Sequence, residues 1–440
     1  MKKIVVLGAF GFLGRIICGR IISGLSEGHD IDLVMTGRSG QSVISHPRVT
    51  SLRGDVTRWT GDDFRQALSG ATHIINCIGV LEGTAAQDDA ACNALWLETM
   101  TRALPESLEG LIHVSALGVP DDDTAPANDL PYFSSRVLAE RIVTSACSGR
   151  IPFRILRPSF IYAASCYGGS ESLRFLAGSA GLIALPDGGS TRFAPVCADD
   201  VAEITWRCLT DREAPQGVIE IAGPDVMTTR DIVLMWRRWL GLREGKIISV
   251  PWHLSLALGY AGRIFPLWNM SPVMVRLMRE DYTARHSPGG VCQTVAGVRL
   301  RSMQDFLAAH PAGHPERWHA RVGYLRPFLA LSVAALWFGS GAAGLMSGRE
   351  GEKELDGLVP GKGMKCAAVK GFSLMDLMFG SLILSGRRSW SWQFLAVSGY
   401  TLLLGIAKPS LWKGLYGPLL KNLPILGLLA VLRQTEGRRG

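Results

Sequence analysis

Charge is scarce in this chain. Only 19% of its 440 residues are Asp, Glu, Lys or Arg, and the mean hydropathy is +0.19. That balance excludes a disordered, solvated chain and is too apolar for one ordinary soluble core. Nine cysteines are present, but no Cys-x-x-Cys pair. Zinc-ribbon spacing is thereby excluded, and Cys18, Cys77 and Cys208 lie in apolar stretches. Buried free thiols in a reducing compartment are expected, with neither disulfides nor metal. There is no internal repeat and no low-complexity tract. A secretory leader is also missing. The basic start MKKIVVLG loses its apolar run at Gly8 and Gly11 and reads as a first β-strand, so the amino-terminal domain is expected to stay cytoplasmic. Lys plus Arg exceed Asp plus Glu by eight. No nucleic-acid motif accompanies the excess, and nucleic acid is not an expected partner. Much of it flanks apolar segments instead: Arg317, Arg321 and Arg326, then Arg387 and Arg388, then Arg433, Arg438 and Arg439.

What is present divides into two parts. Residues 1–320 alternate short β-branched runs with helical stretches. Lys3–Leu7, Asp32–Thr36, Val49–Leu52, His73–Ile78, Leu111–Ser115, Phe153–Leu156 and Val218–Ala222 read as strands, and Phe193–Val196 as another. Phe12–Leu25, Ala85–Leu104, Pro131–Ser148, Gly168–Gly181, Asp199–Leu209 and Thr228–Leu240 read as helices. Strands separated by helices mean βαβ units, a parallel sheet and helices on both faces. Trp252–Trp268 reads as a helix of a small lobe packed on that core, with a place on a membrane surface as its alternative.

Gly8-Ala9-Phe10-Gly11-Phe12-Leu13-Gly14 follows the first strand and opens the first helix. In that context a glycine at Gly8 permits the tight turn, Gly11 admits a pyrophosphate to the backbone, and Gly14 lets helix pack on strand. The helix N-terminus offers free N–H groups and partial positive charge. The expected fold is therefore a doubly wound α/β Rossmann domain that binds a nicotinamide dinucleotide. The second strand ends in Thr36-Gly37-Arg38. An acidic residue there would suit a ribose 2′-hydroxyl, whereas Arg38 suits a 2′-phosphate, so NADP(H) is expected over NAD(H). Asp55, before Val56 at the end of the third strand, either accepts from the adenine amino group or caps the turn.

These residues, with Asn76-Cys77-Ile78-Gly79, Val114–Gly118 and Tyr132–Glu140, resemble the extended and atypical branch of the short-chain dehydrogenase/reductases. Arg157-Pro158-Ser159, Pro195–Asp200 and Ala222-Gly223-Pro224 extend the likeness over roughly residues 1–285. Within the branch the chain looks similar to the group of the NADPH-binding accessory subunit of respiratory complex I. The resemblance implies a cofactor site of Gly8, Phe10, Gly11, Phe12, Leu13, Gly14, Arg38, Asp55, Val56, Cys77, Ile78, Gly79, Arg157 and Pro158. It implies a catalytic set of Ser115 as substrate binder, Tyr132 as acid/base and position 136 as electrostatic helper. The family has Lys at that position and this chain has Arg136, which keeps the charge but not the reach or the ammonium proton relay. Two readings stay open: an oxidoreductase, or a non-catalytic NADPH-binding sensor or assembly subunit of a membrane complex. A nucleotide-sugar epimerase or dehydratase shares the fold. From the residues alone, Ser115 would be a strand-end cap and Arg136 a surface partner of Glu140 at i+4.

From Pro327 onward the chemistry changes. Pro327–Met346, Gly371–Ser385, Trp392–Ala407 and Leu415–Leu432 are apolar runs, some short for the ~20 residues of a membrane span. Trp390, Trp392 and Trp412 sit at their ends, and Gly339, Gly341, Gly344 and Gly380 would permit close helix packing. A buried helical domain of a soluble protein is the alternative. With the first domain inside, four spans place Arg387–Arg388 and the tail on the cytoplasmic side, while the mixed-charge loop Ser347–Lys370 faces out. Asp376 lies within the second run, within reach of Lys370; Lys421 lies in the last and would snorkel. Residues 327–433, with Gly417–Pro424 foremost, resemble the DoxX-like four-helix membrane domain. The expected organisation is a nucleotide-binding domain over residues 1–285, a juxtamembrane linker over 286–326 and a four-span membrane domain over 327–433. The protein would be multi-pass, in the inner membrane of a prokaryote, with the bilayer as partner and a lipid-soluble or quinone-like substrate.

Overall fold

A computed structural model of the chain describes residues 1–38, 46–81, 90–120, 130–264, 270–387, 389–413 and 419–436. Gly417, Pro418, Arg388, Arg438, Arg439 and the last residues of the predicted helix Trp252–Trp268 lie outside them. The chain forms two units: residues 1–252 with 273–317, and residues 253–272 with 318–439.

The first unit is built on seven strands: β1 (Lys2–Leu7), β2 (Ile31–Gly37), β3 (Val49–Arg53), β4 (His73–Asn76), β5 (Gly110–Val114), β6 (Phe153–Pro158) and β7 (Gly217–Ile221). They stand in the order 7-6-5-4-1-2-3 and every pairing is parallel. The order reverses between β1 and β4, and an open parallel sheet binds its ligand in the crevice beyond the strand ends at that reversal. β1 shows why its strands are apolar throughout. Ile4 and Val6 enter one core with Ile17, Cys18, Ile21 and Val201. Val5 and Leu7 enter another with Phe64, Leu97, Ala139 and Val143. Both faces are covered, so alternation in the sequence vanishes.

Helix α1 (Phe12–Ser26) packs on the first face, α2 (Gly61–Ala67) and α3 (Trp96–Thr101) on the second. Residues 85–89 of the predicted helix Ala85–Leu104 lie outside the described residues; a π-helical turn, Ala91–Leu95, runs into α3, which ends at Thr101 rather than Leu104. Helix α4 (Pro131–Cys147) begins with Pro at its first turn, where no intrahelical N–H is needed. A lobe follows, with helix α5 (Gly169–Ala177) and short ladders; α6 (Ala198–Thr210) returns to the first face of the sheet beside α1, and α7 (Thr229–Trp239) completes the lobe. The strand expected over Phe193–Val196 divides into Arg192–Phe193 and Val196–Cys197, because Pro195 offers no N–H to a ladder.

The second unit is helical. His314–Met346 and Lys362–Leu384 are long and apolar enough to cross a membrane. Trp390–Ala407 and Asn422–Gln434 are shorter, the last about 20 Å at 1.5 Å per residue. The first helix begins thirteen residues before Pro327 and shortens the expected linker. The helix Trp252–Ile264 leaves Leu254, Leu258 and Tyr260 exposed, and its residues from His253 onward cluster with this unit rather than on the lobe core. Gly341, Gly344 and Gly380 hold the helices close: an added Cβ would stand 2.7 Å from Leu377, 2.2 Å from Ser373 and 3.0 Å from Phe338 respectively. Gly339 faces open space.

This unit has an apolar core that includes Val333, Trp337, Phe379, Val397 and Leu429, and its outside is apolar as well. Gln393, Thr401, Asn422 and Ser373 are buried, while Phe328, Leu331, Phe372, Leu374, Leu395, Leu402, Leu403 and Ile406 are exposed. Several of the buried polar groups pair internally: Trp337 Nε1 donates to Gln393 Oε1 (2.8 Å), Gln393 Nε2 to Ser389 Oγ (2.8 Å), and Asn422 Nδ2 to Thr401 Oγ1 (2.9 Å). A water-soluble bundle would place these apolar side chains inside.

Candidate active site and dinucleotide cradle

Gly8 has a φ of +78°, open to glycine at no steric cost. A Cβ there would meet Ile78 Cγ1 at 2.8 Å. A Cβ at Gly14 would stand 2.2 Å from the Gly8 carbonyl oxygen, and one at Gly11 3.1 Å from it. Two hydrogen bonds fix the turn, Gly11 N to Gly8 O (3.0 Å) and Ala9 N to Thr36 O (2.9 Å). Gly11 caps α1 with no side chain, which leaves the first-turn N–H groups of Phe12, Leu13 and Gly14 pointing out of the helix end. Cys77 N bonds to Leu7 O (2.9 Å), bringing Cys77, Ile78 and Gly79 beside the turn. The turn therefore sits at the strand-order reversal, and its glycines permit the close packing of turn, helix start and the end of β4.

At the far end of β2, Phe10 covers Gly37, where a Cβ would lie 2.7 Å from Phe10 Cδ2. Arg38 is exposed. Asp55 caps the turn at Val56–Arg58, accepting from Thr57 N (3.2 Å) and Thr57 Oγ1 (2.7 Å). Of its two sequence readings, the capping role is the one drawn. Val56 is buried.

The expected catalytic residues converge at β5 and α4, with different partners from those expected. Ser115 is buried and donates its hydroxyl hydrogen to Glu140 Oε1 (2.5 Å). Arg157 clamps the same carboxylate, Nε to Oε1 at 3.0 Å and Nη2 to Oε2 at 2.7 Å, with side-chain exposures of 4% and 8%. The guanidinium of Arg157 thus faces Glu140, and the expected surface pair of Arg136 with Glu140 is replaced by this buried one. Arg136 is itself buried; its Nη1 donates to Val114 O (3.1 Å) and its guanidinium carbon lies 5.3 Å from the Tyr132 ring centroid. Gly79 makes room for it, since a Cβ there would be 2.0 Å from Arg136 Nη2. Tyr132 is half-buried with its ring against Phe133. Pro158 closes β6 opposite Ile221.

Asn76 belongs to a motif visible in the sequence, but its bonding, and the parts played by His113 and Asn93, carried no readable sequence signal. Asn76 Oδ1 accepts from Ile78 N (2.9 Å), so its Nδ2 must donate to His113 Nδ1 (2.9 Å). His113 is therefore neutral, protonated at Nε2; burial, and then the charge of Arg136, push its pKa down to about 3. Asn93 brackets Val80, accepting from its N–H (2.8 Å) and donating to its carbonyl (3.2 Å), and also donates to Ser135 Oγ (2.9 Å). Cys77 is not a reactive thiol, because burial holds its pKa up at about 12.

Fold and cradle together define the class: a short-chain dehydrogenase/reductase-type Rossmann domain followed by a helical domain. Residues 4–222 match the NAD dependent epimerase/dehydratase family and residues 334–430 the DoxX-like family, so the chain carries one domain similar to each. No curated protein matches the sequence. Among solved structures, MoeE5 in complex with UDP-glucuronic acid and NAD is similar at 17% identity and a TM-score of 0.52, over 70% of this chain and 97% of that one. The Bordetella bronchiseptica enzyme WbmH in complex with NAD+ is similar at 14% identity and 0.51, over 74% and 98%. At these identities the likeness is one of fold.

Proposed function

We propose that the chain is a membrane-anchored, NADP(H)-dependent oxidoreductase acting on a lipid-soluble, quinone-like or isoprenoid substrate from the cytoplasmic side of a four-span anchor. The observation that carries this reading is the exposed apolar outside of the helical unit, in one chain with a glycine turn at the strand-order reversal of a parallel sheet. Arg38, exposed at the end of β2, supplies a planar fork for a 2′-phosphate. When bound, the dinucleotide supplies or takes the hydride. Tyr132 then holds the proton exchanged with substrate, and Arg136 keeps a positive charge over its ring.

One observation favours the second reading, a domain that holds NADPH without turnover. The single donor hydrogen of Ser115 is engaged by Glu140, so Ser115 meets a substrate with lone pairs only. Purified full-length protein in lipid nanodiscs, given NADPH and a membrane lipid extract, separates the two. Turnover that disappears in Tyr132→Phe while NADPH binding persists supports the oxidoreductase. Binding with no turnover in the wild type supports the holding subunit. Conversion of UDP-glucose or UDP-glucuronic acid without net consumption of NADPH would replace both with an epimerase. Arg38→Asp is expected to weaken NADPH binding tenfold or more while sparing NADH, from the loss of charged hydrogen bonds of about 1.5–3 kcal/mol.

A further inference from the structure

Among the described residues of the helical unit, one carboxylate lies within the apolar part of a helix. Asp376, on Lys362–Leu384, accepts a hydrogen bond from Ser340 Oγ (2.6 Å) on His314–Met346. Lys370, the expected partner, is not the one it meets. At 1.5 Å per residue Ser340 lies about 9 Å from the end of the first helix at Met346, and Asp376 about 7.5 Å from the start of the apolar run at Gly371 and about 12 Å from Leu384. An ionisable side chain at such depth is costly and usually serves a ligand, a pathway or a partner.

Asp376 differs from the other polar groups of the unit. Gln393, Asn422 and Thr401 are buried and paired with one another or with Trp337, Ser389 and Tyr400. Asp376 is half-buried and Ser340 is exposed, so the pair opens on the outer surface of the bundle. Among the described residues the carboxylate accepts this one hydrogen bond, although a carboxylate has about four lone-pair sites. One helical turn away on the same faces stand Leu336 and Phe372, 40% and 56% exposed. Tyr400, on the third helix, lies within electrostatic reach of the carboxylate, and its hydroxyl donates to Asn422 on the fourth (3.0 Å). An acceptor flanked by apolar side chains and reached from the lipid side fits a molecule with a hydroxyl head and an apolar body.

We propose that Asp376 and Ser340 form a binding site, open to the bilayer, for the hydroxyl head of a lipid alcohol. The proposal deepens the functional reading above and rests on its placement of this unit in a membrane; fractionation of the full chain with membranes tests that placement separately. The site is tested by equilibrium binding of radiolabelled farnesol and of farnesyl methyl ether, which lacks the donor hydrogen, to full-length protein in nanodiscs without any dinucleotide. Wild type is expected to bind the alcohol at least tenfold more tightly than the ether. Asp376→Leu is expected to remove the discrimination. Ser340→Ala is expected to reduce it, with an unchanged melting profile showing that the bundle is intact. Equal binding of alcohol and ether to wild type, or discrimination that survives in Asp376→Leu, overturns the proposal. A wild-type dimer that dissociates in Asp376→Leu overturns it as well, because a second copy would then cover the pair.

Discussion

Replacing Glu140 by Leu should be the most damaging single change in the first unit. The carboxylate accepts from Ser115 and from two nitrogens of Arg157, and both members of the ion pair are almost fully buried. Breaking a buried ion pair by removing one member costs about 3–5 kcal/mol. Removing both members should cost less, since the buried guanidinium leaves with the carboxylate; Glu140→Leu with Arg157→Met is expected to recover at least half the loss. For a domain of this size each kcal/mol moves the melting temperature by about 2–4 °C, so the single variant should melt about 6–20 °C lower. The assay is thermal unfolding of the full chain by intrinsic fluorescence, the first unit's transition being the one that added NADPH raises. A drop of under 2 °C in Glu140→Leu, or a double variant that melts lower than the single one, would refute the argument.

Gly14→Ala places a methyl group 2.2 Å from the Gly8 carbonyl and should cut dinucleotide binding at least tenfold by titration. Gly19→Ala on the same helix meets open space and should leave binding unchanged, with stability up by about 0.5–1 kcal/mol. His113 gives a pH signature. Its folded pKa of about 3 lies below the ordinary 6.5, so between these values the unfolded chain takes up a proton that the folded state excludes. Stability should fall as the pH drops through that window, by at most about 4–5 kcal/mol from this residue. His113→Asn, which keeps an acceptor for Asn76, should show a shallower fall in urea midpoint between pH 7 and pH 5; identical slopes would remove His113 from the account.

The parts of this molecule that could be read from sequence are those decided by neighbours along the chain. Gly8–Gly14 is legible because turn, strand end and helix start are contiguous, and each glycine answers a local steric demand. The strands are legible because two covered faces make each run apolar from end to end. Glu140 was legible only as an i+4 neighbour of Arg136. Its actual partner comes from β6, and such a choice is made by tertiary packing. Membrane-helix boundaries failed for a related reason. Apolarity begins at Pro327 and Gly371, whereas helical hydrogen bonding starts earlier, through charged turns from His314 and Lys362.

Arg136 shows what a change of one residue type does when its surroundings accommodate it. A lysine carries three rotatable donors on a flexible stem; a guanidinium is a rigid plate. Here the plate lies in the space left by the missing side chain of Gly79, donates to the Val114 carbonyl and stands over Tyr132. Its charge is thus located by the backbone of β5 and the loop after β4, the same segments that locate Ser115 and the cradle. Arg136 and Gly79 therefore form one unit: a side chain at position 79 would push the plate away from Tyr132 even with position 136 unchanged. A lysine at 136 would leave the space above Gly79 unfilled. Whatever Tyr132 does with a proton, the positive charge beside it is held in place by β-strand geometry and not by the conformational freedom of its own side chain.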